Sequence, residues 1–161
     1  MEEKIAIILP LFNLTVEQLD ICCAIACAEA SGDGTNYEEA HHVINTAYNR
    51  LLSAEWVNSF GNSLYAQMIA PNQFMVYESG AYTKYLGRID LPGYQAVIDF
   101  LSNTSGLEPH DYLSFQACDS KKEDSVQLVV GGNRYFNLLP EADRLEDFRR
   151  SEDEAIFLVR K

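Results

Sequence analysis

Glu29 is the residue of this chain best placed to do acid–base chemistry. It follows the apolar run Ile21-Cys22-Cys23-Ala24-Ile25-Ala26-Cys27-Ala28 and precedes Ser31-Gly32-Asp33-Gly34. On a helix, Cys22, Ile25 and Ala26 share its face, one to two turns back. Burial beside them disfavours the charged carboxylate and raises its pKa. The C-terminal end of a helix dipole works in the same direction, because it repels negative charge. A carboxyl held protonated near neutrality is a general acid, which glycoside cleavage needs to protonate the leaving oxygen. The position also suits a carboxylate at the point where a helix surfaces into water. Spacing alone leaves both readings open.

Other reactive side chains fit less well into a constellation. His41 and His42 are adjacent on a helix and cannot present one face to a metal, and no third ligand stands at zinc spacing. Cys22, Cys23 and Cys27 lie within one predicted helix, match no zinc pattern and make poor disulfide partners. They read as small buried hydrophobes of a reduced compartment, with a bridge from Cys118 to one of them as the alternative. Cys118 and the histidines carry no local signature of a cysteine hydrolase. His110 and Asp111 receive no role. No metal and no cofactor is expected.

The elements that must position Glu29 follow from periodicity and punctuation. A helix is predicted from about Val16 to Ala30, capped by Thr15 with Gln18 reaching back and with Leu14 and Leu19 as a hydrophobic staple. Its all-apolar interior belongs at the centre of a domain. A second helix is predicted from Tyr37 to Leu52. Asn36 and Glu39 are its capping pair, and Ala40, Val43, Ile44, Ala47, Tyr48 and Leu51 form its buried stripe. Glu38 and Glu39 favour its N-terminal turn and are given no catalytic part. Shorter helices are predicted near Ser63 to Ile69 and from Pro92 to Ser102. The period then changes. Tyr112 to Gln116 reads as a strand, and Val126 to Val130 with Asn133 to Asn137 flank Gly131-Gly132 as a hairpin. The tail from Pro140, with its apolar Ala155 to Val159, reads as a helix or a docked extension. Of Ile5 to Leu9 only a short apolar run is read. The sum is a helix-dominated α+β chain with a small hairpin or sheet.

With 161 residues the chain is expected to form one domain. Its net charge of −12, with few and scattered basic residues, argues against nucleic acid as a partner. No run is long enough for a membrane span. The N-terminus lacks the basic start and cleavage site of a secretory signal.

Four short stretches, in order, resemble motifs of the bacterial cell-wall hydrolase family that includes spore-cortex-lytic enzymes. Cys27-Ala28-Glu29-Ala30-Ser31-Gly32-Asp33 is similar to its E-A-x-G-E signature, and Tyr48-Asn49-Arg50-Leu51 to its N-R-V. Asn72-Gln73-Phe74 is similar to its x-Q-F, and Gly131-Gly132-Asn133-Arg134-Tyr135-Phe136 to its closing G-G-H-x-F-Y. Asp33 stands in place of the second glutamate, and Asn133 in place of the histidine. The usual proline after the first motif is missing.

The resemblance implies a fold like that of lysozymes and lytic transglycosylases, with a catalytic core at about 19–137, an extension at 138–161 and Glu29 as the catalytic acid. It implies cleavage of the bond between N-acetylmuramic acid and N-acetylglucosamine in peptidoglycan, giving 1,6-anhydromuramyl ends. Asp33, Asn49, Arg50, Gln73, Tyr77, Asn133 and Tyr135 are the residues expected to bind substrate or support the acid. Tyr77, Tyr82 and Tyr85 form an aromatic stretch that can line a sugar groove, and Tyr135 is a candidate to stack on sugar. A hydrolytic muramidase of the same fold needs a second carboxylate, for which Asp33 is the nearest candidate. A non-catalytic wall-binding or structural module is the rival from another class. The expected protein is a monomer made in the cytoplasm. It reaches the wall after lysis, within a phage or tail-like particle, or by signal-independent export.

Overall fold

A helix apolar on every side has no face to offer water and must be enclosed. The computed structural model describes residues 1–117, 128–130 and 132–144, and in it this helix is α2, Val16–Glu29, with every residue from Cys22 to Cys27 fully buried. Thr15 and Gln18 form the expected reciprocal cap, each bond 3.1 Å long, with Leu14 and Leu19 buried beside it. Against α2 pack α3 Tyr37–Leu52, α5 Leu64–Met68, α6 Met75–Glu78, α7 Pro92–Leu101 and a 3-10 turn at Ala81–Tyr85, while α1 Glu2–Leu11 packs on α7 and α4 Ala54–Phe60 on α3 and α5. Cys22, Cys23 and Cys27 are free thiols. Burial pushes the first two well above the ordinary thiol range and Cys27 up to about 12, which leaves them unreactive. Cys118 lies outside the described residues. No single helix among the described residues is long and apolar enough to cross a membrane.

Three helices go beyond the sequence reading, the single turn α6 and two longer ones. α1 covers the run from Ile5 to Leu9, and the Lys4 ammonium ties it to Asp99 of α7 at 2.7 Å. α4 opens on Ser53, whose hydroxyl accepts from Trp56 N–H, and none of its residues is buried. Neither shows the clean apolar stripe that marks α3.

The chain between α2 and α3 turns in an unusual way. Gly32, Asp33 and Gly34 all have positive φ, at 85°, 53° and 84°. Only glycine, and to a lesser degree Asp or Asn, adopts this region cheaply. The loop brings Gly34 O to within 2.8 Å of Gly93 N–H at the start of α7. A β-carbon on Gly93 would lie 2.9 Å from that oxygen, so α7 approaches this closely only through a glycine.

The sheet has three antiparallel strands, β1 Tyr112–Ala117, β2 Leu128–Val130 and β3 Asn133–Leu138, in the order β1-β3-β2. Val130 pairs with Asn133, which is the tight hairpin expected at the glycine pair. Val126, Gln127 and Gly131 lie outside the described residues, as does the tail beyond Arg144 with its run from Ala155 to Val159. Ahead of that tail the chain makes one 3-10 turn, Glu141–Asp143.

The sheet docks on α3 through polar side chains. The period-3.6 stripe predicts one buried face, but α3 is buried all round from Glu39 to Leu51. Asn45 and Asn49 both donate to His110 O, at 3.1 and 2.9 Å, and Asn49 also donates to Tyr112 O at 2.9 Å. Asn45 Oδ1 accepts from His110 N–H at 2.7 Å, and Arg50 Nε donates to Leu113 O at 2.7 Å. His110 completes the seam. Its Nδ1 accepts from Tyr112 N–H at 3.0 Å, so the ring proton sits on Nε2, 3.0 Å from His42 O.

Asn49→Ala removes the side-chain donor to Tyr112 O and one of the two side-chain donors to His110 O. It is expected to lower unfolding free energy by about 3 kcal/mol, measured by urea denaturation.

Candidate active site

Glu29 is the last residue of α2, and its partly buried side chain faces a cleft of about 410 Å³. The end of α2 supplies Glu29, Ala30 and Ser31 to this cleft, and α3 supplies Glu39. Gln73 and Met75 enter from the chain that opens α6, Phe115 and Gln116 from β1, and Gly132 and Asn133 from the hairpin. Helices and sheet thus meet at one carboxyl.

Burial raises the Glu29 carboxyl to about 7, against a smaller opposing pull from the nearby Val76 backbone. Desolvation wins, as the apolar face behind Glu29 predicts. Near neutrality this group has a proton to give and a solvent-connected cleft into which to give it.

The second carboxylate of the cleft is Glu39, and it is fully buried. Its Oε2 accepts from Ser31 Oγ at 2.5 Å and Asn36 Nδ2 at 3.1 Å. Its Oε1 accepts from Asn133 Nδ2 at 2.7 Å and Gly132 N–H at 3.2 Å. Asn133 Nδ2 also lies 3.4 Å from the backbone oxygen of Glu29. Glu39 therefore ties the α2–α3 loop to the hairpin, and Asn133 ties the hairpin to the residue that carries the acid. The capping part read for Glu39 is present in its backbone N–H, which donates to Asn36 Oδ1 at 3.0 Å. Its place in the cleft was hidden by that reading, because a glutamate three residues after a capping asparagine has a sufficient local explanation.

Of the residues the sequence singles out, the structure brings Glu29, Gln73 and Asn133 together and puts the others elsewhere. Asp33 does not line the cleft. Its side chain is 82% exposed and bonded to Lys84 Nζ at 2.9 Å and Tyr85 Oη at 3.0 Å, and these partners hold its carboxyl below the ordinary range. The positive-φ loop turns it away from α2. Asn49 and Arg50 are spent on the docking of β1, and the Arg50 guanidinium stacks 3.9 Å from the Trp56 ring centre. Tyr77 packs on Tyr82, ring centres 5.2 Å apart, outside the cleft lining. Tyr135 is fully buried, its ring centre 5.0 Å from that of His110 and 5.5 Å from that of Phe115, and so has no face free for a sugar. Alternation along β3 turns this side inward, against the histidines of the seam.

Ser31, Met75, Phe115 and Gln116 also line the cleft, and Met75 is exposed. Only the pairing of the strands could have found Phe115 and Gln116. No group of three His, Cys, Asp or Glu side chains among the described residues is placed to hold a metal ion. Compared with protein-family profiles, curated proteins and solved structures, the chain matches none.

Two buried groups make stability depend on pH with opposite signs. Glu29 goes from 4.5 in the unfolded chain to about 7 in the fold. The native state keeps a proton that the unfolded chain releases, so this contribution is complete below pH 4.5 and is lost as pH rises through 7. His110 goes from 6.5 down to about 3 because it is desolvated, so its contribution is complete above 6.5 and is lost as pH falls toward 3. Glu29→Gln is expected to abolish the first slope, raising stability relative to wild type by up to about 3 kcal/mol between acid and neutral pH. Urea denaturation of both proteins from pH 4 to pH 8 measures it, and parallel profiles would remove Glu29 as the buried acid.

Proposed function

We propose that this protein is a lytic transglycosylase of peptidoglycan with Glu29 as its acid and base. The observation that carries the reading is the Glu29 carboxyl, raised by burial to about 7 and facing a cleft of about 410 Å³. Glu29 protonates the oxygen linking N-acetylmuramic acid to N-acetylglucosamine, and the bond from that oxygen to the anomeric carbon breaks. The Glu29 carboxylate then takes the proton of the muramic C6 hydroxyl. That oxygen closes on the anomeric carbon, which gives a 1,6-anhydro ring, restores the acid and consumes no water.

Three further points support this reading. The motif around Glu29 and the ordered short motifs after it resemble the cell-wall hydrolase family. A helical lobe with a small antiparallel sheet beside a groove is the plan expected of a lysozyme-like fold. A hydrolytic muramidase needs a second carboxylate that handles water. Among the described lining residues the other carboxylate is Glu39, fully buried and bonded at both oxygens, and Asp33 lies outside. The one-carboxylate route is therefore favoured. With a net charge of −12, attraction to an anionic wall does not bring the protein to its substrate, so delivery by a particle or export route is part of the proposal.

Purified peptidoglycan digested by wild type and by Glu29→Gln, read by mass spectrometry, is the test. Anhydro ends are expected from the wild type, with a loss of roughly 100-fold or more in the variant. Reducing ends would point to a muramidase and to Glu39 in place of Asp33. No cleavage of several wall types by folded wild type would favour a binding module. Activity is also expected to fall about tenfold per pH unit above about 7, where Glu29 loses its proton.

A further inference from the structure

A second cavity, of about 510 Å³, opens beside the hairpin and shares no lining residue with the Glu29 cleft. The neighbours Glu38 and Glu39 on α3 divide between the two, as do Val130 and Asn133, which pair across the hairpin. Its wall carries three kinds of group. Leu107, Pro109 and Val130 supply apolar surface, and Glu38 and Glu108 are exposed glutamates. His42 is 7% exposed, and its Nδ1 has no hydrogen-bond partner among the protein atoms. No lysine or arginine is among the described residues of this wall.

We propose that this cavity binds a primary amine on an aliphatic chain, as the side chain of a lysine residue presents it. Glu38 and His42 stand four residues apart on α3, so they share one face of the helix and can act on one ligand group. A buried polar atom without a partner is the exception in folded proteins and calls for an explanation. A neutral imidazole has one N–H and one lone pair to use. The neighbouring His110 has both ring nitrogens committed, Nδ1 to Tyr112 N–H and Nε2 to His42 O, so the unused capacity belongs to His42. Burial holds His42 below the ordinary histidine range, against the pull of Glu38, so near neutrality the ring is uncharged and does not repel a cation. The two glutamates favour positive charge, and an ammonium brings three donors to share between them and the ring. A metal ion fits poorly, because no three His, Cys, Asp or Glu side chains among the described residues are placed to hold one. The apolar wall suits a methylene stem, which lysine lays along such surface while its charge stays at the polar end. A carboxylate beside the amine, as in diaminopimelate, meets the same glutamates and is disfavoured. The amine class stands on this cavity alone. Its source, a lysine in the stem peptides of the wall, rests on the transglycosylase reading.

The test uses a probe without glycan. Nα-acetyl-lysine methylamide is titrated into the nitrogen-15-labelled chain near pH 7, and binding is read on the amides of Leu107 and Val130 and, in the wild type, on the His42 ring. Saturable shifts are expected, and none with the Nε-acetylated compound, which keeps the stem and loses the charge. Glu38→Gln, a change at an exposed position, is expected to weaken binding roughly threefold to fivefold. His42→Phe keeps a ring of similar size, removes both nitrogens and is expected to weaken binding about tenfold. The corresponding diaminopimelate derivative is expected to bind more weakly than the lysine compound. Shifts that never saturate, that the acetylated compound reproduces, or that are unchanged in Glu38→Gln would overturn the amine site. Equal or tighter binding of the diaminopimelate derivative would overturn the choice of lysine. If the amine binds while peptidoglycan is not cleaved, the site stands and the transglycosylase reading fails. If peptidoglycan is cleaved while the amine does not bind, the site fails and that reading stands.

Discussion

The structure depends on how the first residues of β1 are satisfied against α3. Backbone N–H and C=O groups brought against a helix find no donor or acceptor in its own ladder, and leaving them unpaired in the interior is costly. Here the helix answers with side chains. Asn45, Asn49 and Arg50 supply donors to His110 O, Tyr112 O and Leu113 O, and Asn45 also accepts from His110 N–H. These residues recur at helical spacing, so one stripe of α3 reads one edge of the sheet. The seam fixes where β1 runs, β3 pairs along β1, and the hairpin follows. Gln116 and Asn133 reach the cleft only because of that chain of dependence.

The two carboxylates of the cleft come from α2 and α3, and their surroundings differ in kind. Glu29 has an apolar helix behind it and little polar company, which raises it to about 7. Glu39 has a hydrogen-bond donor at each of four contacts. The first is free to exchange a proton with a ligand, while the second is committed to holding walls together. Opposed environments of this kind are how one site separates an acid from a carboxyl that serves the frame. The cost falls on stability, since a carboxyl desolvated for use favours the fold less as pH rises through 7.

Much of the fold was legible because local rules and burial agreed. The Thr15–Gln18 cap, the enclosed α2, the Asn36 start of α3, the Pro92 start of α7 and the glycine-pair hairpin all follow from short-range chemistry. α1 and α4 were less legible, because Pro10 interrupts one and the other buries none of its residues. The polar side of α3 was misleading for a different reason. His41, Asn45, Thr46 and Asn49 look solvent-facing in a periodicity argument, and only a partner with matching polar groups makes their burial affordable. The candidate site divides the same way. Glu29 announces itself by contrast with the run before it. Glu39, Phe115 and Gln116 belong to the site through contacts between distant segments, which no spacing encodes. Tyr135 was read as a sugar contact because aromatic residues serve either purpose, and strand alternation sent it inward.

Asn133 shows how a departure from a motif can be physically consistent with its setting. Its Nδ2 carries two protons and lies 2.7 Å from Glu39 Oε1 and 3.4 Å from the backbone oxygen of Glu29. A single amide nitrogen can serve both acceptors, whereas a neutral imidazole has one N–H to give. An imidazole would also titrate near neutrality, in the range where Glu29 itself changes charge. The amide has no proton to lose in that range, so the hairpin's side of this link does not titrate. In the proposed mechanism the proton is carried by Glu29, and the hairpin sets beside its backbone an amide that does not titrate.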